Sequence, residues 1–478
     1  LIYAKIFLEM TKKTFFITTP IYYVDDVPHI GHAYTTIAAD VLARYHRLLG
    51  EEVFFLTGTD EHGLRVSQGA KAQDLTPREF TEKLAPQFVT IWNSLNLSYN
   101  FFIRTTDPHH EKIVQEFLTK LYKRGFIYEG VYEGPYCVGC EKFVTEGELK
   151  NGVCSLHPHL LPTRIKEKNY FFKLSAFQKQ LITFFEKKEA IFPQERRNEI
   201  LGKLKKEKLK DLSISRAGVT WGIPVPWDKK QTIYVWVDAL LNYYSATQFV
   251  RGKKKFWPAD LHLIGKDILW FHTVIWYALL LAADLPLPKK VFAHGFFTIE
   301  GQKMSKSLGN VIAPQKLIQQ FGVDETRYLL LSEFPFGADG DISLDRFRQR
   351  YNAELANGLG NLVSRVAKLC ETSGFDFEDT PTSHFFSKPF QSALSKYRID
   401  EALSDIWVDI HALDAAIDKA KPWKLSGKEL FKNLLGVISV IRHIAFDLQP
   451  FMPETAEKIQ KQFAGPKIKA NPPLFPRI

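Results

Sequence analysis

From Phe15 onward the apolar positions first run together and then become periodic. FFITTPIYY is dense in aromatic and β-branched residues and reads as a strand. After the polar turn VDDVP, the residues Ile30, Ala33, Tyr34, Ile37, Val41, Leu42, Tyr45 and Leu48 return at the spacing of one helical face, and Gly50 supplies a C-terminal stop. EEVFFL is a second strand, which delivers TGTDEHG at its carboxyl end. Amphipathic helical patterns follow in TPREFTEKLAPQFVTIWNSL and from Glu111 to Arg124. NYFFKLSAFQKQLITFFEKKEAI is aromatic and partly helical, and RRNEILGKLKKEKLKDLSISRAG opens as a basic helix. WGIPVPW then marks a return to the main sheet. TIYVWV reads as a strand ending at Asp238, ALLNYYSATQFV as a helix, LHLIG as a strand, DILWFHTVIWYALLLAAD as a helix and KVFAHG as another strand. Past a glycine-bounded loop the pattern is helical throughout, in ELANGLGNLVSRVAKLCE, YRIDEALSDIWVDIHALDAAIDKA and LFKNLLGVISVIRHIAFDL, with KPW at 421–423 breaking the last two. Two β/α halves split by an inserted segment predict a Rossmann-like, doubly wound parallel sheet, and the tail predicts an all-α bundle.

Composition narrows this picture only a little. At 478 residues, with 45% hydrophobic and 24% charged residues, the chain has the makeup of a multidomain globular protein. A net charge of +10 is compatible with a polyanionic partner. Four cysteines, three of them close together, exclude a disulfide scaffold and point to a reducing compartment with one metal site. The most apolar run, Ile268 to Ala283, is interrupted by His272 and Thr273 and is shorter than a membrane span, so it reads as a buried helix and no membrane contact is expected. LIYAKIFLE is a poor signal peptide, and Met10 is the expected natural start.

Four stretches carry candidate chemistry. His29 and His32 are three apart at a helix N-terminus, where exposed N–H groups and the helix dipole favour phosphate; Gly31 leaves room for a flat ring such as adenine. Taken alone, such a pair is better explained as capping or core histidines. Asp60, Glu61 and His62 fall at the carboxyl end of a strand, where open parallel sheets bind ligands, and a carboxylate there suits an ammonium group. Cys137, Cys140, Cys154 and His157 come from a C-x-x-C and a C-x-x-H turn, a closed tetrahedral set for structural Zn²⁺, with His159 competing for the fourth position. In GQKMSKSLGN, Lys303 and Lys306 lie between Gly301 and Gly309, on a loop able to close over a triphosphate and neutralise a departing pyrophosphate. Cys370 sits in a helical pattern and reads as a small buried hydrophobe.

PHIGH after the first strand and KMSKS after the last resemble the two signatures of the class I aminoacyl-tRNA synthetases, in order and on the right elements. TTPIYY, TGTDEHG, the Cys/Cys/Cys/His knuckle, DLSISR, WGIPVP, VWVDALLNYYSA, IGKDILWFH, FAHGFF and KMSKSLGNVI resemble the methionyl branch of bacterial type with a single zinc knuckle, from about Phe15 to beyond Met452. The resemblance implies activation of L-methionine with Mg²⁺·ATP to methionyl-adenylate. Transfer to the 2′-hydroxyl of the terminal adenosine of tRNA(Met), initiator tRNA included, would follow. It assigns catalysis to His29, His32, Lys303 and Lys306, with Lys306 the more important lysine, and ATP binding to these together with Gly31, Gly265 and Asp267. Methionine would contact Ile21, Tyr23, Trp236, Leu240, Tyr243, Ile268 and His272, with Asp60 on its ammonium; aromatic walls suit a polarizable thioether. Asn361, Arg365 and Trp423 would read the anticodon by base-edge hydrogen bonds and stacking.

The same resemblance divides the chain into an extension (1–13), the first catalytic half (14–117), an inserted domain with the zinc knuckle (118–229), and the second catalytic half with the KMSKS loop (230–315). A stem-contact connection (316–350) and a helical anticodon-binding domain (351–478) complete it. A cytoplasmic monomer is expected, because many relatives dimerise through a further C-terminal domain. Homocysteine is the expected wrong substrate, since a hydrophobic pocket separates near-isosteres by only about 1–3 kcal/mol. Two departures stand out: Asp25 where the branch usually has Asn, and Phe296–Phe297 where tryptophan is common. A synthetase for leucine, valine or cysteine would share both signatures, and so would a non-catalytic tRNA-binding relative. The latter should have lost a signature histidine or lysine, and this chain keeps all four.

Overall fold

The computed structural model describes residues 12–138, 142–144, 149–155, 160–304, 310–378 and 385–478. Strand β1 (Thr14–Tyr23), helix α1 (Ile30–Leu48) and strand β2 (Glu52–Asp60) follow the predicted order, with Gly50 at φ +81° just past the helix. β3 (Phe101–Arg104) comes next. Helix α2 (Pro108–Lys123) starts with Pro108 in its first turn and the Asp107 side chain capping the His109 amide.

The inserted segment contributes β4 (Ile127–Cys137), β5 (Lys142–Phe143), β6 (Leu149–Lys150), β7 (Val153–Cys154), β8 (Thr163–Phe172), β9 (Ile191–Phe192), β10 (Leu212–Ser213), β11 (Ser215–Arg216), β12 (Pro224–Val225) and β13 (Asp228–Ile233). β4 and β8 form a long antiparallel ladder flanked by β5 and β10. Helices α3 (Val235–Leu240) and α4 (Asn242–Phe249) lead to β14 (Leu261–Gly265) and β15 (Val291–His294). The central sheet has the order β3-β2-β1-β14-β15-β9, and the pairs β3/β2, β2/β1, β1/β14 and β15/β9 are parallel. This is the split, doubly wound parallel sheet expected from the sequence. Its outermost strand, β9, comes from within the inserted segment.

Two expected elements differ. TIYVWV is not a strand of the central sheet: Thr232 and Ile233 end β13, in a small antiparallel sheet ordered β11-β13-β12, and the chain turns helical at Val235. The run looked like a strand because Tyr234, Val235 and Val237 are all buried, and a helix covered on several sides loses its apolar periodicity. The long helix expected over DILWFHTVIWYALLLAAD is broken into a 3₁₀ turn (Lys266–Ile268), a π-helical turn (Phe271–Ile275) and an α-helix, α5 (Trp276–Ala282). Side chains accept the consequence: Thr273 Oγ1 donates to the Leu269 carbonyl at 2.7 Å and His272 Nδ1 to that of Ile268 at 3.0 Å.

Later elements include β16 (Phe297–Ile299), β17 (Gln302–Lys303), α6 (Val323–Ser332), β18 (Gly340–Ile342), α7 (Asn361–Ser373), α8 (Ile399–Ala420), α9 (Gly427–Leu448) and α10 (Pro453–Gln462). Two compact units result. One comprises the chain up to Pro28, Glu51–Ile91 and Tyr99–Ala293, and is built on the central sheet; its core includes Phe16, Phe54, Leu56, Ile264, Trp276 and Tyr277. The other comprises His29–Gly50, Trp92–Ser98 and His294–Ile478, so that α1 groups with the helical tail. Within it Tyr328 on α6 stacks on Trp407 of α8 at 4.4 Å. No helix among the described residues is long and apolar enough to cross a membrane.

Candidate active site

In the sheet unit, the reversal of strand order on either side of β1 makes the carboxyl ends of β1, β2 and β14 the place where a doubly wound sheet binds ligands. An extra residue in β1 between Thr18 and Ile21 shifts its register against β2, a bulge that re-aims the last side chains of the strand. Ile21 and Tyr23 follow that bulge; Asp60 ends β2, opposite Tyr23. Gly265 ends β14, and Asp267 and Ile268 lie in the 3₁₀ turn just after it. Trp236, Leu240 and Tyr243 recur at helical spacing along α3 and α4. Trp236 stacks on Phe271, ring centroids 3.8 Å apart, and meets His272 edge-on. All eight expected methionine contacts therefore belong to this unit.

The Tyr243 hydroxyl lies 2.7 Å from His272 Nε2. His272 Nδ1 must carry the ring proton to donate to the Ile268 carbonyl, so Nε2 accepts from tyrosine, and one neutral tautomer is fixed. Burial reinforces this by pulling the His272 pKa down to about 4, while it pushes the Tyr243 phenol up.

Of the TGTDEHG triplet, two residues act as braces. Glu61 is fully enclosed and accepts from Arg104 Nε and Nη2 (2.7 and 2.9 Å), Thr59 Oγ1 and Thr106 Oγ1. His62 Nδ1 contacts Asp238 Oδ2 at 2.7 Å; the other Asp238 oxygen contacts His110 Nε2 at 2.8 Å, and His110 Nδ1 reaches Ser245 Oγ. Burial opposes the charge on both His62 and Asp238, but their mutual attraction prevails: the His62 pKa is raised and that of Asp238 lowered. Asp60 remains as the carboxylate of this stretch that bears electrostatically on Tyr243. Sequence reading missed Asp238, His110 and Arg104 as partners; nothing in local spacing links them to β2.

Asp25, the departure from the expected Asn, pairs with Arg65 Nη2, and Arg65 lies over the Tyr23 ring at 5.3 Å. The acceptor role at that turn is filled by a carboxylate and needs no side-chain N–H.

In the second unit, His29 is the N-cap of α1. Its Nδ1 accepts from the Gly31 amide (3.1 Å), and His32 Nδ1 accepts from the His29 amide (3.3 Å), a reciprocal cap made by two imidazoles whose rings stack at 3.7 Å. Capping and chemistry are thus not alternatives. An Nδ1 that accepts leaves the proton of the neutral ring on Nε2, so both rings present Nε2–H donors at the positive end of α1. A Cβ on Gly31 would come within 2.9 Å of His29 Cε1 and 3.4 Å of Met304 Cε, so any side chain here would press on the imidazole cap.

The Ile30 amide donates to the Ile312 carbonyl, fastening the exit of the lysine loop to the start of α1. The entry to that loop is a hairpin, β16 with β17, turned by Glu300 (φ 51°) and Gly301 (φ 75°); two successive positive φ values are what a tight two-residue hairpin requires. Asp341 Oδ1 holds the turn, accepting from the Gly301 amide and Thr298 Oγ1 at 2.7 Å each. Lys303 ends β17. Lys306 lies outside the described residues.

In the helical tail Asn361 opens α7 and Arg365 follows one turn later. Trp423, 53% exposed, sits on the turn between α8 and α9, and the Arg365 guanidinium lies over its ring at 5.3 Å. Arg365 is also held by Asp414 (3.0 Å) and Asp418 of α8, partners the sequence did not reveal.

Of the expected zinc ligands, Cys137 ends β4 and Cys154 ends β7, and both are buried with Val144 in one small cluster. Cys140, His157 and its rival His159 lie outside the described residues. Two thiols converging from separate turns, in a core this small, suit a zinc ion that supplies the missing cohesion. Among the described residues no cysteine is in a disulfide.

Comparison with known proteins agrees with this geometry. The family described as tRNA synthetases class I (M) matches residues 15–157 and 144–367. The methionine–tRNA ligase of Caldanaerobacter subterraneus subsp. tengcongensis is 42% identical over 507 residues, covering 98% of this chain and 79% of the relative. That of Rickettsia felis is 44% identical over 474 residues, covering 94% and 92%. The Mycobacterium tuberculosis methionyl-tRNA synthetase bound by methionyl-adenylate superposes with a TM-score of 0.89 at 34% identity, over 97% of this chain and all of that one. The signatures, the parallel sheet and these relatives, each alike over nearly the whole chain, make it a member of the methionyl-tRNA synthetase family of class I aminoacyl-tRNA synthetases.

Proposed function

We propose that this chain is a methionine–tRNA ligase whose sheet unit selects methionine and whose α1 N-terminus and lysine loop handle ATP. Methionine, ATP with a divalent cation, and tRNA are its substrates, and Mg²⁺ is the cation we assign. The methionine carboxylate attacks the α-phosphorus, pyrophosphate departs, and methionyl-adenylate forms. The 2′-hydroxyl of the terminal adenosine of tRNA(Met), initiator tRNA included, then attacks the adenylate carbonyl and AMP leaves.

The observation that carries this reading is the imidazole cap of α1: it turns His29 and His32 into oriented Nε2–H donors, the groups an α-phosphate gaining charge in its transition state needs. Lys303 and Lys306 neutralise the departing pyrophosphate, with Gly31, Gly265 and Asp267 framing the nucleotide. Asp60 takes the substrate ammonium. Ile21, Tyr23, Trp236, Leu240, Tyr243 and Ile268 enclose the thioether, with His272 kept neutral at about pKa 4 so that no buried charge opposes an apolar side chain. Asn361, Arg365 and Trp423 read the anticodon, and Zn²⁺ on Cys137, Cys140, Cys154 and His157 holds the inserted domain (118–229) together. We assign the reaction to the cytoplasm, where thiols stay reduced.

Pyrophosphate exchange into ATP, run with each proteinogenic amino acid and no tRNA, tests the reading on wild type and Lys306→Ala. Methionine-dependent exchange that collapses in the variant is expected. Exchange with another amino acid would move the assignment to a sister synthetase, and none from folded protein would favour a non-catalytic relative.

A further inference from the structure

Helices α8 and α9 pack against each other as an antiparallel pair joined by residues 421–426. Each carries two potential metal ligands one turn apart: Asp405 and Asp409 on α8, His443 and Asp447 on α9. Ligands at i and i+4 on facing helices are how helical bundles build metal sites in their interiors.

His443 Nε2 lies 3.4 Å from Asp447 Oδ2. Ligands about 2.0 Å from a tetrahedral zinc stand about 3.3 Å apart, so this separation already matches. One donor atom from each of Asp409, His443 and Asp447 lies within 4.8 Å of the others, a span that small rotamer changes would close.

A second observation points to a missing partner. Asp447 is 2% exposed, and its Oδ1 is buried without a hydrogen-bond partner. Such an atom is costly unless something positive completes it. The surroundings do the opposite. Asp405, which accepts a hydrogen bond from Ser387 Oγ at 2.8 Å, adds a third carboxylate beside the pair. Burial, then Asp409 and Asp405, push the Asp447 carboxyl up to about 7; burial and Asp405 also raise Asp409, with His443 working the other way.

We propose that Asp409, His443 and Asp447 form a divalent-cation site that ties α8 to α9, the helices whose connection carries Trp423. One imidazole and two carboxylates favour a first-row transition ion, with Zn²⁺ and Co²⁺ the best fits, over Ca²⁺ or Mg²⁺, which seek oxygen alone. The site shares no ligand with the cysteine knuckle, and its donors are chemically distinct: nitrogen and oxygen instead of thiolate.

The test uses the whole chain, stripped with chelator and titrated with Co²⁺, with bound metal counted after dialysis. Thiolate-to-cobalt charge-transfer absorption reports the knuckle, and a nitrogen and oxygen site lacks that band. We expect wild type to take up one more equivalent than His443→Ala or Asp409→Asn, with the thiolate band unchanged in all three. Zn²⁺ should likewise raise the thermal midpoint of wild type more than that of either variant. His443, with 31% of its side chain exposed, is the safer position to truncate if Asp409→Asn folds poorly. Equal uptake by wild type and folded His443→Ala would overturn the proposal. So would an extra wild-type equivalent that survives that substitution.

Discussion

Asp40 tests whether the helix bearing both signature histidines depends on a buried charge. It lies mid-helix in α1, fully enclosed, and its carboxylate accepts from Arg327 Nη2 and Arg44 Nε, both at 2.7 Å, and from the Ser98 amide, also at 2.7 Å. Burial alone would raise its pKa, but Arg327 and Arg44 prevail and hold it below the usual carboxylate range. Arg44 is partly exposed and can turn toward water when the carboxylate is lost. Arg327 cannot: it too is fully buried, and its other acceptors, the carbonyls of Leu95, Pro450 and Phe451, are dipoles without net charge. Asp40→Asn therefore strands a cation, a loss of about 3–5 kcal/mol for breaking a buried pair from one side. The amide keeps the shape and one acceptor oxygen, which puts the expectation near the lower end.

Hydrogen exchange of peptides covering Ile30–Leu48 reads this locally, and about 3 kcal/mol corresponds to opening roughly a hundredfold more frequent. Asp40→Asn combined with Arg327→Met should recover part of the loss, because the second change removes the stranded charge. Exchange within tenfold of wild type, or a double variant worse than the sum of the singles, would refute the reasoning. The sign with pH follows from the depressed pKa: the stabilisation is complete above the unfolded carboxylate range and lost as pH falls through the folded value.

Three further outcomes are expected. His272 is the reverse case of a group kept neutral: with its pKa at about 4 against about 6.5 unfolded, the sheet unit should lose up to about 3 kcal/mol as pH falls from 6.5 to 4, and His272→Gln should flatten that part of the stability profile; an unchanged slope would count against it. Tyr243→Phe leaves His272 Nε2 without its donor, a buried defect of about 1–3 kcal/mol; methionine KM should rise with ATP KM unchanged, and equal rises in both would argue for general disorder. Trp423→Ala removes one stacking face worth about 1–3 kcal/mol, so kcat/KM for tRNA charging should drop roughly 5- to 150-fold while tRNA-independent pyrophosphate exchange holds. Loss of both activities together would place Trp423 in the fold instead.

The parts of the fold that could be read in advance are those written in one contiguous stretch. β1, α1 and β2 announce themselves by period, turn residues and a terminal glycine, and so do the long helices of the tail. Where burial is nearly complete the signal fails. Val235–Leu240 and the π-turn at Phe271–Ile275 are apolar on several sides, so neither their type nor their breaks show in the pattern. The two-residue strand β9 is too short to carry any pattern, yet it closes one edge of the central sheet through its pairing with β15.

The site shows the same division, with a functional consequence. Signature residues were legible because they are local: an imidazole pair three apart, two lysines three apart, a carboxylate at a strand end. Their roles were not, because a role is set by partners distant in sequence. Glu61 and His62 look as available as Asp60 in TGTDEHG, yet Arg104 and the threonines engage the first, and Asp238, shared with His110, engages the second. Only the fold shows that these two neighbours of Asp60 are engaged by residues far away in sequence. At α1 the reverse holds: backbone partners two and three residues away fix which imidazole nitrogen carries the proton, so there the short motif already contains its own chemistry. A substitution that keeps the ring but disturbs the cap, such as Gly31→Ala pressing on His29, should thus impair ATP handling while leaving every charged group in place.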